Sequence, residues 1–393
     1  MSNKAQKRGL VPKLRFPAFR EAGEWEARTL GSLLDYQQPT AYLVSDTNYS
    51  DTYKTPVLTA GKTFVLGYTN EQHGIFSENL PVIIFDDFTT ATQFVDFPFK
   101  AKSSAMKILQ AKNGVNIQFV YEAMQMISYE VGAHERHWIS TFAPMSILIP
   151  KLKEQQKIAD CLASLDERIT LEAQKLDTLK THKKGLMQQL FPAEGETLPK
   201  LRFPEFREAG EWEERNLGRV AVNLDNRRVP ITSGERVAGE IPYYGASGVV
   251  DYVKGFIFDE DLLCVSEDGA NLVARTYPIA FPISGKTWVN NHAHVLRFEN
   301  PCTQKFVDVF LNSIKLDDFI TGMAQPKLNK AMLDSIPIPW PTVPEQQRIA
   351  DCLTSIDDLI TAQTQKLAAL KTHKKGLMQQ LFPDMDAKAE VEA

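Results

Sequence analysis

Three groups of residues have the types and spacing of chemical sites, and each lacks a part. Gly61-Lys62-Thr63 and Gly285-Lys286-Thr287 end like a phosphate-binding loop, but the first glycine of that pattern falls on Pro56 and Ala280. The backbone cannot wrap a phosphate without it. His134-Glu-Arg-His137 and His292-Ala-His294 pair histidines without the further ligands a zinc ion needs. Asp86-Asp87 and Glu267-Asp268 each follow an apolar run, PVIIF and LLCVS. A nuclease metal site would want a lysine shortly after the acids, and none follows, so a strand-end turn or a polar contact to a base is expected there. No G-x-G-x-x-G occurs. These gaps predict a chain with no catalytic centre and no metal of its own.

Binding is a better prospect than catalysis. From Phe97 to Tyr121 the charged residues are Lys100, Lys102, Lys107 and Lys112, with no acid among them. From Gly269 to Phe298 they are Arg275, Lys286 and Arg297, again with no acid. Solvated faces would give such windows too, and the net charge of −5 does not favour nucleic acid. Their recurrence in matching places is a reason to read them as facing DNA. The candidates in the first half are Thr90, Thr92, Lys100, Lys102, Ser103, Ser104 and Arg136. In the second half they are Asn271, Arg275, Lys286, Asn290, Asn291 and His292, with Gln325, Lys327 and Asn329 from QPKLN. Arginine and lysine suit guanine O6/N7, asparagine and glutamine suit adenine N6/N7, and any of them can take phosphate.

The elements that would carry these residues come in two copies. PKLRFPAFREAGEWEARTLG at 12–31 returns as PKLRFPEFREAGEWEERNLG at 199–218, with three differences in 20 positions. The 39 residues Glu154–Pro192 return as Glu345–Pro383, with 29 identical. Between the copies the sequences drift. Two bodies that recognise different things, held on like joints, would account for this pattern. Boundaries follow: a flexible N-terminus at 1–11, a first body at 12–153, a repeated helix and linker at 154–198, a second body at 199–344, a second repeated helix at 345–383 and a disordered acidic tail at 384–393.

Each repeated segment holds an apolar seam with 4, 3 spacing. The first runs through Ile158, Leu162, Leu165, Ile169, Leu176, Leu179, Leu186 and Leu190. The second runs through Ile349, Leu353, Ile356, Ile360, Leu367, Leu370, Leu377 and Leu381. Glu172/Gln363 and Lys183/Lys374 interrupt it and could set register. Such a seam predicts helices about 55 Å long, stopped by Phe-Pro at 191–192 and 382–383. Pairing the two helices antiparallel about a pseudo-two-fold axis suits the duplication. At 43% hydrophobic residues, with no apolar run near the roughly 20 residues a membrane span needs, the chain reads as soluble. Four scattered cysteines without CxxC suit a reducing cytoplasm.

These paired motifs, with PYYGASGVVDYV, EDGANLVARTYPIAF, WVNNHAHVL, GMAQPKLNKAMLDSIPIPWP, FDDFTTATQFVDFPFKAKSSAMKIL and HERHWISTFAPMSILIP, resemble the specificity subunit of type I restriction-modification enzymes over nearly the whole chain. The resemblance implies an α+β fold of two target-recognition domains, each reading one half of a split, asymmetric DNA target. It also implies that the antiparallel coiled coil sets the distance between half-sites. Two methyltransferase subunits, bringing S-adenosylmethionine for adenine methylation, would dock on the repeats. Restriction subunits with ATP- and Mg2+-dependent translocation would join them in the cytoplasm of a bacterium or archaeon. This subunit itself would be no enzyme. The rival expectation is a coiled-coil scaffold that binds no DNA.

Overall fold

The computed structural model describes residues 11–59, 63–129, 136–322 and 325–383. The expectations for the extreme N-terminus, the acidic tail, Gly61-Lys62 and His134 fall outside them. The chain divides into two compact units, 1–172 with 366–393, and 173–365. The division runs through the middle of both repeated segments. Each is one uninterrupted helix, Leu152–Leu190 and Val343–Leu381.

In the first unit a four-stranded antiparallel sheet has the order Leu34–Gln37, Met106–Ala111, Val82–Asp86, Thr92–Val95. In the second the order is Val222–Asn223, Ala293–Arg297, Leu262–Ser266, Ala280–Ile283. The central strands, VIIFD and LLCVS, are buried at every position, which explains why they read as continuous apolar runs. A smaller sheet follows in each unit. Lys100–Ala101 lies parallel to Thr55–Leu58 in one, and Lys286–Val289 parallel to Ala238–Gly245 in the other. Both bodies therefore have one topology under sequences that share little.

Each unit also contains an antiparallel helix pair. In the first, Lys374 bonds Asp166 and Lys366 pairs with Glu172. In the second, Lys183 bonds Asp357. Every seam position is buried or half-buried. Three of the residues that interrupt the seam, Glu172, Lys183 and Lys374, thus serve in cross-helix ion pairs that only the antiparallel direction permits.

The repeated PKLRFP motif has its own task. Arg15 forks onto Glu154 with two bonds of 2.7 Å and donates to the Gly23 carbonyl at 2.6 Å. Arg202 does the same with Glu345, at 2.7 and 2.9 Å, and with Gly210 at 2.6 Å. Gly23 and Gly210 both sit at φ +79°, where a side chain would be strained. The preceding residue ties down the other helix: the Leu14 N–H donates to Gln380 O and the Leu201 N–H to Gln189 O, both at 2.9 Å. Each motif therefore clamps the start of one repeated helix and the end of the other. Trp25 and Phe382 join one core, and Trp212 and Phe191 its counterpart. Packing gives a reason for the repetition that the sequence alone conceals.

One buried acid strains the first joint. Glu122 is wholly buried, with Lys374 at 3.0 Å and Asp166 on the same ammonium. Burial drives its pKa from an ordinary 4.5 up to about 7, against the pull of Lys374. The folded state therefore holds a proton that the unfolded chain has already released between those two pH values, so Glu122 makes stability fall as pH rises through that window. Glu122→Gln should thus gain melting temperature relative to the parent protein as pH goes from 5 to 8. A difference between the two proteins that stays flat over that range would contradict this account.

Candidate nucleic-acid interface

The acid-free windows divide once their side chains are placed. In the first body Lys102, Ser103, Ser104 and Arg136 are exposed. The Lys102 ammonium lies 5.8 Å from the centre of the Tyr49 ring. Lys100 requires a correction: it is 2% exposed, pairs with Glu71 at 2.8 Å and donates to the His73 carbonyl at 2.6 Å. This pairing holds the Glu71 carboxyl below its ordinary range despite some desolvation. Lys100 ties a loop to the smaller sheet and offers nothing to a ligand. Thr92 is half-buried in its strand and accepts from Gln125 at 2.7 Å. Thr90 sits at φ +60° in the turn whose N–H groups bond to Asp86.

In the second body Lys286, Asn291, His292, Gln325 and Lys327 are exposed. Lys286 lies 4.9 Å from the Phe256 ring, itself 45% exposed. Aromatic and basic groups standing together in solvent suit a nucleic acid surface. Three other candidates need correction. Arg275 donates to the Leu311 and Ile314 carbonyls at 3.3 and 2.9 Å, capping the helix Pro301–Ser313, and burial lowers its pKa. Asn290 is buried and accepts from the His292 N–H. Asn329 caps the helix Lys330–Ser335. Asn271 is half-buried and spans the backbone of Tyr277 with two bonds of 2.9 Å. The three asparagines complete nearby backbone, and Arg275 completes backbone far along the chain.

The two acid pairs end their strands as expected. Asp86 accepts from Phe88 and Thr89 in a turn. Asp87 is buried and pairs with buried Lys107 at 3.1 Å. In the second body Glu267 takes Arg228 at 2.6 Å and Lys327 at 3.2 Å, and Asp268 takes His292 at 2.8 Å. Asp225, Glu267 and His294 lie close enough together to suggest a metal site. Arg228 already supplies the positive charge, 2.6 Å from Glu267 and 3.5 Å from Asp225. Burial raises the Asp225 carboxyl, but bonds from His294 and the Val295 N–H outweigh it and hold it below its ordinary value. Both acids are thus satisfied by protein cations, and the grouping is an ion-pair network.

A second surface lies outside the apolar seam. All ten differences between the repeated helices fall at 157–178 and their counterparts, while 179–192 and 370–383 agree at every position. Lys180, Thr181, His182, Lys184 and Gln188 in this stretch are exposed, as are their copies Lys371, Thr372, His373, Lys375 and Gln379. A cavity of about 710 Å³ beside the first stretch is lined by Lys180, Lys184, Met187 and Phe191. One of about 640 Å³ beside the second is lined by Gln379, Phe382 and Pro383. No seam position demands identity at those exposed places. The legible clue was identity at polar positions between the seam residues.

The fold and these surfaces place the chain among known proteins. It matches the type I restriction modification DNA specificity domain twice, over residues 22–181 and 209–372, and it belongs to that family. It is 33% identical over 376 residues to the type I restriction enzyme EcoR124I/EcoR124II specificity subunit of Escherichia coli, covering 88% of this chain and 89% of that one. It is 27% identical over 275 residues to the type I restriction enzyme MjaVIII specificity subunit of Methanocaldococcus jannaschii, covering 61% and 62%. The crystal structure of the S subunit from M. genitalium has the same fold, with TM-score 0.66 and 18% identity over 96% of this chain and 100% of that one. Among the described residues no helix is long and apolar enough to cross a membrane.

Proposed function

We propose that this chain is the target-reading subunit of a type I restriction-modification complex and has no catalytic role of its own. Each body reads one half of a bipartite, asymmetric DNA sequence, and the paired helices set the spacing. Two copies of one methyltransferase subunit dock on the two identical helix ends, bring S-adenosylmethionine and methylate adenine. Restriction subunits using ATP and Mg2+ complete the assembly, in the cytoplasm. The observation that carries this reading is the contrast within the chain. Two bodies of one topology carry different exposed polar residues, while the helix ends beside them agree even at exposed positions. Different readers on like docking sites have that form.

The DNA candidates that remain are Lys102, Ser103, Ser104 and Arg136 in one body, and Lys286, Asn291, His292, Gln325 and Lys327 in the other. The chain alone should show no methylation or cleavage with S-adenosylmethionine, ATP and Mg2+, and should gain methylation when its methyltransferase subunit is added. Reversing Lys180, Lys184, Lys371 and Lys375 to glutamate should abolish assembly with that subunit while circular dichroism stays unchanged. Activity of the isolated chain, or a quadruple variant that still assembles, would contradict the reading. A complex that assembles but never prefers one DNA sequence would instead favour a scaffold.

A further inference from the structure

The two bodies share an internal device that their sequences do not reveal. In the first, strand pairing sets Phe85 opposite Lys107; in the second it sets Val265 opposite His294. Lys107 and His294 therefore occupy one place in the common topology, and each is 1% exposed. Two residues beyond Phe85 stands Asp87, and two beyond Val265 stands Glu267. Each uses its backbone carbonyl to accept an N–H from a segment returning from far along the chain. The donor is His137 N at 2.9 Å in one body and Leu328 N at 2.8 Å in the other. The buried basic residue reinforces the same junction. Lys107 pairs with Asp87, whose second oxygen accepts the Trp138 N–H at 2.8 Å. His294 places Nε2 2.7 Å from the Leu328 carbonyl, where it donates, and Nδ1 2.6 Å from an Asp225 carboxylate oxygen.

The residue immediately before the pinned N–H is exposed and basic in both bodies: Arg136 and Lys327. A fold held together by apolar packing has no need to bury a basic side chain beside an acid at this place twice, since a buried pair is often replaceable by apolar groups at no loss of stability. A charge pair does fix direction and register, because its bonds are short and oriented.

We infer that Lys107 and His294 are equivalent positioning residues for target discrimination: through Asp87 and the Leu328 carbonyl they hold the returning segment so that Arg136 and Lys327 meet equivalent places in the two half-sites. This rests on the proposed DNA reading.

The test uses the assembled methyltransferase, with binding to duplexes carrying one substitution in either half-site. Asp87→Asn with Lys107→Met removes the pair while leaving an acceptor for the Trp138 N–H, so folding should survive, as a melting curve would show. Discrimination should fall about tenfold or more at the half-site read by the first body, with the other half-site and the salt dependence unchanged. Lys107→Arg, which keeps the charge, should restore most of it. His294→Leu should relax the other half-site alone. A folded double variant that discriminates as well as the parent, or one that loses both half-sites together, would overturn the inference. A parent complex that binds DNA with no sequence preference would overturn the DNA reading, and this inference with it.

Discussion

A fragment ending near Pro192, combined with the methyltransferase subunit, should methylate a palindrome: the first half-site, a spacer and its inverted complement. The fragment loses residues 366–383, which complete the first joint through Met378, Leu381, Phe382 and the Lys374–Asp166 bond. A second copy can supply Lys374, Met378, Leu381 and Phe382 without change, because 179–192 repeats 370–383 at every position. Lys183 of that copy would stand where Lys374 stands, beside Asp166 and Glu122. The Gln189 carbonyl would accept the Leu14 N–H in place of Gln380. Two copies would thereby rebuild the same joint twice, with the same reader on each. Sedimentation and methylation mapping would check this outcome. A folded fragment that stays monomeric at micromolar concentration would contradict the antiparallel joint.

The second large effect should come from lengthening the helices. Seven residues added between Ala173 and Leu179, and seven between Thr364 and Leu370, keep the heptad phase. They add about 10 Å, the axial length of about three base pairs. The target should keep both half-sites and gain a longer spacer. These stretches lie within the part of the helices where the two copies differ, so neither joint nor identical helix end is disturbed. The ion pairs Lys183–Asp357 and Lys374–Asp166 lie outside the insertions and should persist. Recovery of the original spacing from a stable variant would show that the helices are not the ruler.

The sequence made the helices and their direction legible because a heptad seam is a local pattern and the duplication supplies the symmetry. It made the bodies legible only as different. Their shared topology rests on pairings such as Phe85 with Lys107 and Val265 with His294, which leave no common spelling. Lys100 looked like a DNA contact because its window contains no acid. Its partner, Glu71, lies 29 positions earlier and meets it only after folding. Arg275 failed for a similar reason, since the carbonyls it caps belong to residues 311 and 314. Charge windows along a chain do not report charge in space. The repeated PKLRFP motif was easy to see but not to explain, because Arg15 and Glu154 are separated by 139 positions.

The central claim is that two different readers on like joints select one split target. Methylome sequencing of cells carrying this chain with its methyltransferase subunit tests it most directly. The account predicts a single asymmetric bipartite motif, with a fixed unread spacer and a methylated adenine in each half on opposite strands. A contiguous motif, or no chain-dependent motif at all, would contradict it.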